Sequence, residues 1–501
     1  MRDQKPGNFD MAGVTTDPST DLSLLPATRQ AQLIREGEVS PVEVMDAVLA
    51  RVEALEPVLH AFCFLAADPA RAAAREAEAA VMRGDALGPL HGVPISIKDL
   101  ICTADMPTVS GSRAYVGFMS DQDDVCVERV RAAGAIVIGK TNTPEFGYAG
   151  AGKNEVFPTT SNPWDPAMTS GGSSAGSAAA VASGMGSLTI GSDGGGSIRG
   201  PASFCGLFGL KPSFGRVPAY PGCRDPRHPG VSSWESVEHL GPLTRTVEDA
   251  ALLMSVIAGP DARDWHSLPA GDVDWLAAPR APIGRLRIAY TPDFGFSTVE
   301  PEIRALTAAA ARVFADDLGC EVVEDTPPLQ DMFDLFLTII MRDSDLRGMR
   351  ALADDGLIHL PGLLMMLDRQ WTAEEFTDAA MARQAVCNTL GRFMQDYDLL
   401  LTPTVSSLPF PLEHFNPASI AGIPVEQANA SPFTYPFNWT GQPAASVPAG
   451  FTSTGLPVGL QIVGRHLADA TVLAAAAAYE QARPWANLWP ALARLPESPT
   501  G

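Results

Sequence analysis

The chain has 501 residues, 46% apolar and 19% charged, enough apolar material for a large buried core, and 58 acidic against 35 basic side chains set a formal net charge of −23. That excess of carboxylates argues against nucleic acid or an anionic membrane as partner, because phosphate is repelled wherever the acids are not locally outnumbered. No apolar run of about 18 residues free of Gly, Ser or charge occurs, and residues 1–26 have no apolar stretch behind their basic start, so a soluble, cytoplasmic protein with no membrane contact is expected.

Residues 1–20, polar and dotted with Pro and Gly, read as a flexible tail before one large domain over 21–495. In "SPVEVMDAVLARVEAL", Ser40 is placed to cap a helix, with Pro41 at its first position and Glu43 closing a capping box. Met45, Val48, Leu49, Val52 and Leu55 form its apolar face. An Ala-rich helix over about 69–83 follows. "GVPISIKDL" then alternates Val93, Ile95 and Ile97 with Pro94, Ser96 and Lys98, which predicts a strand ending at a lysine.

Helix and strand patterns alternate from there: "DVCVERVRAAG" and "AIVIG", the capped "TVEDAALLMSVIAGP", "LRIAY", a helix near 301–316, and "CEVVE". "DLLLT", "AASVPAG", "VGLQIVG" and the helix "ADATVLAAAAAYEQA" repeat the theme toward the carboxyl end. Such alternation predicts an α/β fold, a mainly parallel or mixed sheet with helices on both faces. Seven cysteines, without a C-x-x-C or a nearby His cluster, fit free buried thiols and no metal site.

Two motif matches fail on physical grounds. "GAIVIGKT", Gly134–Thr141, fits the phosphate-loop spacing, but its middle residues Ala, Ile, Val and Ile read as a strand and cannot also curl around phosphate. "GSSAG", Gly172–Gly176, fits a nucleophile elbow with Ser174 at its centre. What precedes it is "NPWDPAMTSG", with two prolines and no strand to raise the hydroxyl on a strained turn.

The remaining arrangement is Lys98 at a strand end and two Gly/Ser loops, 170–177 and 191–200. Eight histidines occur in the chain, none between His91 and His228, so a serine in these loops needs another base. A lysine made neutral by burial can serve. Gly194, Gly195 and Gly196, placed before Ser197, let several backbone N–H groups converge on a developing oxyanion.

The segments "GPLHGVPISIKDL", "GAIVIGKTNTPEF", "TSNPWDP", "GGSSAGSAAAVASG", "GSDGGGSIRGPASFCGLFGLKPSFGRVP", "LGPLTRTVEDAALLM" and "GQPAASVPAGFTSTGLPVGLQIVGR" resemble, in order, the amidase signature family of serine amidohydrolases. The resemblance spans roughly 25–485, with a signature core of about 86–260. It implies the family's fold, a single large α/β domain with a mixed, mainly parallel twisted sheet covered by helices on both faces, and a Ser–cis-Ser–Lys triad that needs neither metal nor cofactor. Carried over by position, Ser197 is the nucleophile, Ser173 the bridging serine with a cis bond to Gly172, and Lys98 the base. Amides of Gly194, Gly195, Gly196 and Ser197 would hold the oxyanion. Gly172, Asp193 and Arg199 would shape the loops. Phe146 and Tyr148 would border the acyl pocket.

Ala175 stands where the family commonly has glycine, and Gly194 where it commonly has Thr, Ile or Leu, a change expected to loosen the oxyanion loop or to widen the space around it. The resemblance implies hydrolysis of small, mostly apolar amides and anilides, and of carbamates, by a monomer or homodimer. The insert of about 325–430, with "DMFDLFLTIIMRD" and "LPGLLMMLDRQW", would supply an apolar substrate lid. The alternative is the glutaminase component of a tRNA-dependent amidotransferase. A non-catalytic scaffold is the remaining reading.

Overall fold

A computed structural model of the chain describes residues 14–15, 21–222, 225, 227–231, 234–424 and 431–494. Eleven strands join in one sheet: β1 (Phe62–Leu65), β2 (Pro94–Lys98), β3 (Ile136–Thr141), β4 (Leu188–Asp193), β5 (Phe208–Lys211), β6 (His239–Thr244), β7 (Arg287–Tyr290), β8 (Glu321–Glu324), β9 (Leu399–Pro403), β10 (Ala444–Phe451) and β11 (Pro457–Gly464). Their spatial order is β1-β3-β2-β4-β6-β5-β10-β11-β9-β7-β8. The triplets β3-β2-β4 and β9-β7-β8 are parallel. The six other pairings are antiparallel. The expected mixed α/β sheet is therefore present, with its parallel share concentrated in two blocks and antiparallel strands between them.

Strands β2, β3 and β4 are buried at every position. Near-continuous apolar runs of this kind arise where a sheet is covered on both faces. On one face, residues of β4 such as Leu188 and Ile190 join a core with the helices Val247–Ile257, Pro301–Asp316 and Asp469–Ala482. On the other, Leu243 of β6 packs with the small helices Ala175–Ala182 and Arg199–Cys205. A third core gathers the helices Phe333–Arg342, Pro361–Asp368 and Ala373–Phe393.

The local expectations hold where capping and burial agree. Ser40 accepts from Val42 N at 2.9 Å and Glu43 accepts from Ser40 N at 2.8 Å, closing the capping box of a helix that runs on to Leu59. "GAIVIGKT" is strand β3, and its Lys140 is spent on a buried pair with Asp99 at 3.3 Å. Most of the predicted tail, 1–20, lies outside the described residues. Val14–Thr15 form a two-stranded antiparallel sheet with Leu488–Trp489. No helix among the described residues is long and apolar enough to cross a membrane.

Lys98 and Asp193 are the last residues of the neighbouring parallel strands β2 and β4. Open α/β sheets place their ligand sites beyond such carboxyl ends.

Candidate active site

Lys98 has no exposed surface. Its Nζ lies 2.7 Å from Ser173 Oγ, 2.9 Å from Ser192 Oγ and 3.3 Å from Ser192 O. Burial pulls its pKa down to about 8, against the opposing pull of the Glu238 and Asp193 carboxylates. An appreciable neutral fraction at physiological pH follows.

The Gly172–Ser173 peptide bond is cis. A β-carbon at Gly172 would fall 2.6 Å from Ala151 N and 2.7 Å from Ala149 O, so only glycine lets this backbone approach its neighbours so closely. Ala175 is accommodated because the facing residue is Gly152, whose own β-carbon would lie 2.5 Å from that of Ala175. Ser174 N donates to Ser197 O at 3.2 Å, tying the two Gly/Ser loops together. The Ser174 hydroxyl is buried and donates to Ser192 O at 3.2 Å. Ser174 precedes the helix Ala175–Ala182 without a side-chain capping bond and with no strand leading into it, which removes the elbow geometry. Ser197 is half-buried and lines a cavity together with Gly171, Gly172, Gly195 and Gly196. Among the described residues no hydrogen bond engages its hydroxyl.

The loop from 193 to 199 is held from below. The carboxylate of Asp193 accepts from Gly196 N at 2.7 Å, Ile198 N at 3.1 Å, Arg199 Nη2 at 2.8 Å and Asn438 Nδ2 at 2.9 Å. Burial opposes its ionisation, yet the Arg199 guanidinium and these donors keep it well below the usual carboxylate range. Arg199, equally buried, donates to Asn438 Oδ1 at 2.6 Å, Gln461 Oε1 at 2.7 Å and Thr434 O at 3.0 Å.

The four amides expected around the oxyanion differ in their surroundings. The Gly196 N–H donates to the Asp193 carboxylate at 2.7 Å, and Gly194 is buried. Gly195, Gly196 and Ser197 line the cavity. Gly194 does not widen the site. A β-carbon there would lie 2.7 Å from the Trp234 ring and 2.9 Å from Glu238 Oε2, so Trp234 and Glu238 fill the room that glycine leaves.

The cavity measures about 640 Å³. The helix Phe333–Arg342 gives it Phe333, Phe336, Leu337 and Ile340, and the helix Pro361–Asp368 gives it Met365 and Met366. Phe336 reaches the loop itself: a β-carbon at Gly195 would be 3.1 Å from Phe336 Cζ. Tyr148 is on the wall, its ring 4.5 Å from that of Trp234 and its hydroxyl 2.9 Å from Ser344 Oγ. Phe146 is not. It is 1% exposed, packs edge-on against Tyr115, and offers its backbone carbonyl to Trp234 Nε1 at 3.1 Å. Its φ is +49°.

Residues that hydrogen-bond to Lys98 or Arg199 and that the sequence pattern did not single out fall into two groups. Ser192 stands inside the quoted "GSDGGGS" run and could have been read from the lysine's need for further partners. Asn438 and Gln461 lie 239 and 262 positions from Arg199 and carry no local signal. Among the described residues no three His, Cys, Asp or Glu side chains converge as a metal ligand set.

The sequence model of the amidase family matches residues 43–473. The chain is 37% identical to an acylamidase of Rhodococcus erythropolis over 480 residues, covering 94% of this chain and 98% of that protein. It is 36% identical over 501 residues to one of the subunits of the glutamyl-tRNA(Gln) amidotransferase of Chloroflexus aggregans, covering 95% of this chain and 100% of that protein. A bacterial aryl acylamidase of the amidase signature family superposes with a TM-score of 0.86 at 32% identity, over 94% of this chain and 99% of that one.

Proposed function

The chain belongs to the amidase family of amide-hydrolysing enzymes, and we propose that it acts through Ser197, Ser173 and Lys98 on small, largely apolar aryl amides and carbamates. The observation that carries this reading is the buried Lys98 Nζ, 2.7 Å from Ser173 Oγ, behind a cavity wall that presents Ser197. A neutral amine has two protons and one lone pair. Donating to the carbonyl and hydroxyl of Ser192 leaves that lone pair to accept the Ser173 proton.

As Ser197 Oγ attacks the carbonyl, its proton passes to Ser173 and that of Ser173 to Lys98. The oxyanion is met by the amides of Gly195 and Ser197, in a loop whose Gly196 and Ile198 N–H groups donate to the Asp193 carboxylate before any substrate arrives. Each such donor is worth about 3 kcal/mol of transition-state stabilisation. The relay then returns a proton to the departing nitrogen, and water releases the acyl group by the same path. A carbamate offers the same carbonyl and leaving nitrogen, so its cleavage needs no new group.

The amidotransferase relative raises a second reading, a glutaminase. Glutamine carries an α-carboxylate, which calls for a cation in the site. Among the described residues of the cavity wall there is no Lys, Arg or His. The insert, about 325–430, supplies much of the apolar wall and suits aryl groups. A panel of nitroanilides, aryl carbamates, acetamide and glutamine, each run against Ser197→Ala, separates the readings. Release of aromatic amine from both aryl classes, absent in the variant, supports the proposal; glutamine outpacing every aryl compound overturns it.

A further inference from the structure

Asp334 is the only charged side chain on the cavity wall among the described residues. It stands in the first turn of the helix Phe333–Arg342, exposed, one turn before Leu337 and at the edge of the apolar face that lines the site. The other polar side chains of the wall outside the reacting centre, those of Tyr148, Ser407, Asn416 and Ser431, are uncharged. Lys153 is not a wall residue: its ammonium sits over the Phe415 ring, 4.9 Å from the centroid, and donates to Glu413 O at 2.9 Å.

A lone carboxylate bordering an apolar, low-dielectric cleft acts on a ligand charge more strongly than it would in open water. The net charge of −23 adds a field of the same sign during approach. We propose that Asp334 selects, among the substrates of the amidase site proposed above, those that carry an ammonium or other cationic group outside the scissile amide, and rejects those that carry a carboxylate. An aspartate in a first helical turn also favours the helix dipole. That role would move stability and leave charge preference untouched.

The test uses matched 4-nitroanilides whose acyl chain ends in methyl, carboxylate or trimethylammonium, and a second trio with the same charges on the anilide ring. Each kcat/KM is divided by that of the neutral member for the same enzyme, at low and at high salt. In at least one trio the cation should exceed the anion on the order of tenfold at low salt, shrinking as salt screens the charge. Asp334→Asn should lose most of this preference and Asp334→Glu should keep it. Equal ratios in the unmodified enzyme, an anion preference, or an Asp334→Asn variant that discriminates as before would each overturn the proposal. Failure of the neutral anilides to turn over would instead strike the aryl amidase reading on which it rests.

Discussion

Across one cavity the carboxyl ends of β2 and β4 face the helices of the insert, and the two walls are built by opposite means. On the first, Lys98, Asp193 and Arg199 have no exposed surface and are hydrogen-bonded from several directions. On the second, apolar side chains with few polar anchors predominate, and Met365 is 66% exposed. Proton relay fails if a donor moves by a fraction of a bond length, so the reacting wall is fixed by a satisfied buried network. Apolar recognition depends on area and tolerates rearrangement, so the other wall can change with the substrate.

The contrast is tested most severely at the reacting wall. Ser197→Ala should abolish turnover with the far-ultraviolet circular dichroism unchanged, and Lys98→Ala and Ser173→Ala should each cost orders of magnitude in kcat, since a relay works as a unit. Ser174→Ala should retain activity and lose about 1 kcal/mol of stability with its bond to Ser192 O. A dead Ser174→Ala beside an active Ser197→Ala would reverse the assignment.

Beneath the loop, Asp193→Asn removes the counter-charge of a guanidinium that water cannot reach. Breaking a buried pair in this way costs about 3–5 kcal/mol, readable in urea or thermal unfolding. Turnover should fall with it, because Gly196, Ile198 and Arg199 lose the anion that orders their loop. A variant as stable and active as the parent would show that the loop is held by Asn438 and Thr434 instead.

The same comparison explains what could be read from the chain alone. Lys98, Ser173 and Ser197 lie in short segments whose glycine spacing and strand pattern are each weak signals alone, and it is the ordered set of family-like segments that singles them out as the proposed triad. The commitment of Gly196 N to Asp193 three positions earlier is also local, an Asp closing a turn on a following amide, and was legible in principle. The filling of the Gly194 space by Trp234, and the burial of Phe146 at positive φ, depend on a loop some forty and ninety residues further along. At sheet level, alternation of helix and strand predicts the parallel blocks. The antiparallel pair β10 and β11 is set by the tight turn Thr452–Leu456, whose Gly455 has φ +83°.

Proton affinity gives an intermediate effect. Only neutral Lys98 can take the Ser173 proton, so kcat/KM should rise with pH and level off above about 8. Glu238 raises that value through its negative charge, and Glu238→Gln should therefore move the rising limb to lower pH. The measurement is the full pH–rate profile on a substrate that does not titrate in the range. A limb that stays in place would mean that the titrating group is not Lys98 or that Glu238 is too well screened to reach it.

The smallest effect belongs to the insert wall. Leu337 is half-buried beside Phe336 and Ile340 on the helix Phe333–Arg342, and its outer surface faces the cavity. Truncation to alanine removes apolar contact that substrate would cover, a loss of about 1 kcal/mol or roughly fivefold in KM for an aryl amide. Because that contact is the same in the ground and transition states, kcat should be nearly unchanged. The protein core should notice little, since the leucine is only partly covered by its own chain. If Leu337→Ala instead lowered kcat and left KM alone, the insert would be sensing the transition state through Phe336 and Gly195, and the division between a reacting wall and a recognising wall would have to be redrawn at that contact.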